Sequence, residues 1–186
     1  MSSRHLQIIV CGAGPAADVH LLIEAAHAQS WTAAVTATSS ALPFTDAPTI
    51  EELTGDPVRT SYQTPPAGRR ALPSVDAVII APATYNTINK LALGIADTYP
   101  LTSAAELIGR GIPTVIVPFV NAALAARAPF RRALADLRGE GVRVLSGPND
   151  EWEPHPPGAG PGSRASFPWQ KAFQIAEQAT GRPLHP

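Results

Sequence analysis

Three hydrogen-bonding side chains, Thr84, Asn86 and Thr87, follow a Val- and Ile-rich run at residues 76–81 and Pro82. That run is short and ends at a proline, so it reads as a strand buried on both faces. Beyond Pro82 the period changes. Ile88, Leu91, Ala92 and Ile95 fall at i, i+3, i+4 and i+7, one face of an amphipathic helix. Hydroxyl and amide side chains at the junction suit a helix start. A strand delivering the chain to a helix N-terminus turns unpaired N–H groups and a favourable dipole toward one point, which makes the turn a candidate phosphate site. The same pattern also describes an ordinary βα junction with polar caps.

A second turn of this kind lies near the N-terminus. Residues 6–11 read as the first buried strand, and Gly12-Ala13-Gly14-Pro15-Ala16 follows before a helical pattern that runs to about Ser30. Glycines there let the backbone approach a ligand closely. The third glycine of a dinucleotide fingerprint is absent, and no acidic residue ends the next strand. That next strand, residues 31–38, leaves Thr36, Thr38, Ser39 and Ser40 near its carboxyl end. Their hydroxyls can bond a phosphate or a ribityl chain, or simply cap the turn. His20 and His27 lie on the first helix, where lone histidines are usually structural or solvated; His155 lies in a Pro- and Gly-rich stretch.

Strands and helices alternate through the chain, which predicts a three-layer αβα, Rossmann-like (flavodoxin-like) fold around a parallel sheet. The apolar stripe of the first helix is expected from Leu21, Leu22, Ala25 and Ala28. Thr49 with Glu52 offers a capping box for a short helix ending near Gly55, and residues 58–62 read as a short strand. A Pro-rich connection at 64–68 and a helical turn at 69–72 lead into the central strand. Tyr99-Pro100 reads as a helix break, and Ser103 with Glu106 as a further capping box. Strands at 113–117 and 142–145 flank a helix at about 129–138. Residues 146–168 hold six prolines and four glycines, so they read as a flap on a single domain spanning 1–186, with a closing helix at 169–180.

At 186 residues, 45% hydrophobic and 16% charged, the composition is globular and sufficient for a proper core. Net charge is −1, and the only adjacent basic pairs are Arg69-Arg70 and Arg131-Arg132, so nothing marks a nucleic-acid binder. Cys11 is the single cysteine, which excludes an internal disulfide and supplies no metal-ligand pair. No apolar run reaches the length of a signal-peptide core or a membrane span, so a cytoplasmic protein is expected.

With these residues in place, the chain resembles the homo-oligomeric flavin-containing cysteine decarboxylases, a family that includes phosphopantothenoylcysteine and lantibiotic peptidyl-cysteine decarboxylases. The family signature, Pro-Ala-Ser/Thr-Ala-Asn-Thr leading into a helix closed by Gly-Ile-Ala/Cys-Asp, stands here as Pro82-Ala83-Thr84-Tyr85-Asn86-Thr87 and Gly94-Ile95-Ala96-Asp97. The resemblance implies an FMN site, in preference to FAD, built from Gly12, Ala13, Gly14, Ala16, Thr38, Ser39 and the Pro82 to Thr87 turn. It implies assembly as a trimer or a multiple of three, with flavin at subunit boundaries and a small-molecule or peptide substrate clamped by the flap.

Three departures bear on chemistry. Family decarboxylases carry a catalytic His eight residues before the Asp that opens the central strand; counting back from Asp76 gives Gly68. The family's Pro-Ala-Met-Asn stands as Pro118-Phe119-Val120-Asn121, keeping the Asn and losing the Met. Tyr85 replaces a small residue in the signature turn. Glycine cannot move a proton, which leaves Asn121 and His155 as the candidate catalytic residues. The leading expectation is an FMN flavoprotein whose redox reaction has drifted, acting as a lyase or oxidoreductase. A cysteine decarboxylase with a relocated base, and a flavin-binding regulatory or assembly subunit without turnover, are the alternatives.

Overall fold

Five strands form one parallel sheet in the order β2-β1-β3-β4-β5: β1 (His5–Val10), β2 (Thr32–Ala37), β3 (Ala77–Ala83), β4 (Thr114–Pro118) and β5 (Arg143–Val144). The computed structural model describes residues 3–62, 74–150 and 152–181. The expected connection at 64–68, the helical turn at 69–72 and Gly68 itself lie outside them. Every residue of β3 is buried, as its unbroken apolar run requires. β3 runs through the cis Ala81–Pro82 peptide to Ala83, and its register against β4 shifts between Ile80 and Ala83.

Because successive residues of a strand face opposite ways, the sheet divides two cores. Ile8, Ile79 and Val115 face a cluster containing Leu22 and Ile23 of α1 (His20–Ala28) and Trp169 and Phe173 of α8 (Trp169–Thr180). Ile9, Ile80 and Ile116 face Ile88 and Leu91 of α3 (Tyr85–Ala92), Leu101 and Leu107 of α4 (Tyr99–Gly109), and Phe130 and Leu137 of α6 (Ala128–Gly139). Each fully buried Ile or Phe in these layers stabilises the fold by about 1.5–3 kcal/mol. No helix among the described residues is long and apolar enough to cross a membrane.

Several local expectations shift. In α1 the buried positions are Leu22, Ile23, Ala25 and Ala26, while Leu21 and Ala28 are exposed. A five-residue 3-10 helix, Gly14–Asp18, precedes α1 and rotates its stripe relative to a helix begun at the glycines. Helix α2 (Ala47–Thr54) is capped by Asp46, whose carboxylate accepts from the Thr49 N–H (3.3 Å) and hydroxyl (2.8 Å). The start therefore falls three residues earlier than a cap at Thr49 would put it. Pro100 lies in the first turn of α4 rather than breaking a helix, a place where its missing N–H costs nothing. Residues 58–62 contribute only a bridge from Arg59 to Thr36. In residues 146–168, a 3-10 turn (Pro148–Asp150) and the short helix α7 (Gly160–Arg164) interrupt the coil, and Trp152 and Phe167 are buried in the α1–α8 core.

Candidate functional site at the carboxyl edge of the sheet

The turns that follow β1, β2 and β3 are fastened to one another. At the end of β1, the Cys11 N–H donates to the Pro82 carbonyl (3.1 Å), and the Thr38 N–H donates to the Val10 carbonyl (2.9 Å). The Cys11 side chain is buried against α3's first turn. Burial pushes its thiol pKa up, partly offset by hydrogen bonds with the Thr87 side chain and the Thr84 backbone. Gly12 is needed for the same assembly. A Cβ there would collide with the Ser40 carbonyl oxygen, lie 2.7 Å from its carbonyl carbon and 2.8 Å from its hydroxyl. Only a glycine lets the hydroxyl-bearing turn close onto the first strand.

Thr38 and Ser40 share a hydrogen bond (3.1 Å), and Ser39 and Ser40 are exposed. In the glycine turn, the Ala13 N–H donates to Cys11 (2.8 Å) and the Ala16 N–H to Ala13 (2.9 Å); Ala16 is buried. Gly14 is open, its nearest neighbour being Phe119 at 3.9 Å from an added Cβ. Thr84 caps α3, its hydroxyl accepting from the Thr87 N–H (3.3 Å) and bonding the Thr87 hydroxyl (3.0 Å), while Asn86 is exposed. Tyr85 stacks on Phe130 of α6, with centroids 5.5 Å apart and an interplanar angle of 16°. The three joined turns thus carry hydroxyls and an amide and hold no carboxylate at residues 12–17, 38–41 or 84–87. Asp18, just beyond the glycine turn, is neutralised by a bidentate pair with Arg164 (Nη2 to Oδ1, 2.6 Å), which holds its carboxyl below the usual range. A donor set of this kind suits a phosphate and a polyol.

The β4 end supplies the fourth wall. Its loop begins where the Phe119 N–H donates to the Ala83 carbonyl (2.8 Å). Asn121 Oδ1 accepts from the Leu124 N–H (2.9 Å), capping the short helix α5 (Ala122–Ala125). The flap returns to this loop. His155 N–H donates to Val120 (3.3 Å), Ala122 N–H donates to His155 (2.8 Å), and the two segments form a parallel bridge at Asn121 and His155. The buried Trp152 indole N–H donates to the Pro118 carbonyl (2.7 Å). His20 and His27 sit on α1 instead, with no contact to the four turns among the described interactions.

Neither Trp152 nor the Asp18–Arg164 pair carries a signal in the sequence that points to this site. The Ser40 contact follows from the Gly12 clash, which is visible only once β1 and β2 are paired. Asp18 and Arg164 are 146 positions apart, and no local pattern links them.

The Flavoprotein family model matches residues 1–159. Among curated proteins, dihydromethanopterin reductase (acceptor) from Methanosarcina mazei is 33% identical over 67 residues, 36% of this chain and 28% of its own. Cysteine/cysteine sulfinic acid decarboxylase from an unknown prokaryotic organism is 36% identical over 70 residues, 38% of this chain and 19% of its own. The chain therefore spans about a quarter or less of the length of the curated relatives it matches. Among solved structures, the FMN-dependent cysteine decarboxylase TvaF from thioviridamide biosynthesis superposes with a TM-score of 0.71 at 26% identity, over 97% of this chain and 100% of that one. With a family match over most of its length and a sheet order in keeping with it, this chain belongs to the Flavoprotein family.

Proposed function

We propose that the protein binds FMN at the carboxyl edge of β1, β2 and β3 and uses it for redox chemistry on a small molecule or peptide. One observation carries this reading: three βα turns are hydrogen-bonded into a single unit whose exposed groups are hydroxyls, an amide and an open glycine. The likeness to TvaF, an FMN-dependent enzyme, supports it. Gly14 lets the backbone approach the cofactor, the Thr38 and Ser39 hydroxyls and the Asn86 amide offer donors, and the first turn of α3 favours the phosphate dianion. Gly12, Ala13, Ala16, Pro82, Ala83 and Thr87 set the shape of the cradle from within. FMN supplies a hydride acceptor or donor when bound; the chain supplies position and the exclusion of water.

The reaction is proposed to differ from cysteine decarboxylation. Gly68 stands where the resemblance expects the proton-transfer His, and losing a positioned general base removes a factor of about 10² to 10⁴ in rate. Assembly as a trimer or a multiple of three is part of the same reading. Helix α3 ends at Ala92, before the i+7 position expected of it, so Leu93 and Ile95 lie just beyond it as exposed apolar side chains suited to a neighbouring subunit. The absorbance spectrum and mass of the cofactor released from purified protein test the flavin. Mass spectrometry of cysteine-ended peptides incubated with the loaded protein tests the chemistry. Intact FMN and unchanged peptides are expected; a colourless protein that takes up no flavin overturns the reading.

A further inference from the structure

The flap fixes one imidazole in a defined state at the candidate site. His155 Nδ1 lies 2.9 Å from the Pro156 carbonyl oxygen, an acceptor only, so this nitrogen carries the proton. In the neutral ring Nε2 then holds a lone pair. Packing sets the ring's direction as well. The Phe119 ring lies against it, with centroids 4.8 Å apart and a 42° tilt. A Cβ on Gly160 would lie 3.5 Å from His155 Cε1 and 3.7 Å from Nε2, so the helix α7 backbone closes on the imidazole edge. Phe119 is also the neighbour of Gly14, through the same Cε1 atom that approaches Gly160. One ring therefore neighbours the glycine turn, the flap's Gly160 and His155. The backbone bridge at Asn121 anchors His155 to the end of β4.

We infer that His155 is the proton acceptor of this site, delivered by the flap and taking a proton at Nε2 from a substrate O–H or S–H group. The inference rests on the FMN reading above. In the step the X–H bond breaks, its electron pair stays on X, and the Nε2–H bond forms; the Nδ1–H stays on the Pro156 carbonyl throughout. The pair left on X would favour departure of a hydride from the adjacent carbon, and FMN, when bound, would supply the acceptor. Phe119 is a positioning residue: its ring lies against the imidazole and holds its plane.

Two readouts on the full chain test this without knowledge of the substrate. The first is the long-range ¹H–¹⁵N spectrum of histidine-labelled protein, with His155 assigned by its loss in His155→Gln. A pyrrole-type Nδ1 and a pyridine-type Nε2 are expected, and the opposite tautomer overturns the inference. The second is the rate of diethyl pyrocarbonate modification at each histidine, followed by peptide mass with and without FMN. At about 100 Kd of FMN only about one per cent of sites are free, so the His155 rate should fall about a hundredfold. The exposed His27 on α1 is the internal control and should not change. If flavin fluorescence is quenched, showing binding, yet His155 reacts at its original rate, His155 does not face the cofactor site and the inference fails alone. If FMN at any concentration leaves its fluorescence unquenched, the FMN reading fails and this inference falls with it.

Discussion

Replacing Gly12 with alanine strikes the contact that closes the hydroxyl turn onto the first strand. The added Cβ meets backbone, the Ser40 carbonyl carbon at 2.7 Å among its neighbours, and a backbone segment cannot rotate aside as a side chain tip can. Residues 39–41 must move, and forced overpacking of this kind costs about 1–3 kcal/mol. For a domain of this size that lowers Tm by about 2–12 °C. Moving the same turn also withdraws at least one hydroxyl from a charged ligand. Such a bond is worth about 1.5–3 kcal/mol, so FMN should bind about ten- to 150-fold more weakly. Gly14→Ala is the paired control, because the nearest atom to its Cβ is 3.9 Å away, an ordinary contact. Its stability should stay within about 0.5 kcal/mol of the parent, while its FMN affinity falls because the methyl group occupies the approach to the cofactor. Thermal melting and flavin fluorescence titration, run on both variants, separate the two effects. A Gly12→Ala protein with the parent's Tm and Kd would refute the geometry described for the three turns.

Further outcomes follow from the flap and the caps. Trp152→Ala removes a buried indole and its bond to Pro118, and should cost about 3–5 kcal/mol in urea denaturation. The Asp18 carboxyl is held below its ordinary value by Arg164, so the latch is fully present above the usual carboxylate range and is lost as pH falls through the depressed value. Hydrogen exchange of the 160–166 segment should show protection that fades in acid for the parent. In Arg164→Gln that protection should be lower at neutral pH and insensitive to this titration. Thr84→Ala removes the cap of α3 and should cost about 1 kcal/mol by thermal melting, whereas Thr84→Ser should cost less, since it keeps the acceptor.

The sheet and its helices were readable because each strand is a short apolar run and each helix carries its own period, signals that depend on local residues alone. The first turn of α3 was readable for the same reason: Thr84 is three residues before Thr87, and the cap is local. What failed depended on a start point. Pro100 marks either end of a helix equally well in sequence, and Asp46 and Thr49 are both good caps, with tertiary packing choosing the earlier one. The α1 stripe was displaced because the glycine turn enters a 3-10 helix before α1 begins. The stacking of Tyr85 on Phe130, a residue 45 positions later, has no local signal either. The flap's proline and glycine content does not show how it is anchored, which Trp152 and Phe167 do by burial against the body.

An equilibrium titration of FMN fluorescence by the purified full-length chain tests the central claim most directly. The account predicts quenching that saturates at one FMN per chain and is weakened by Gly12→Ala. Fluorescence that stays at the free-flavin level across the titration would contradict it.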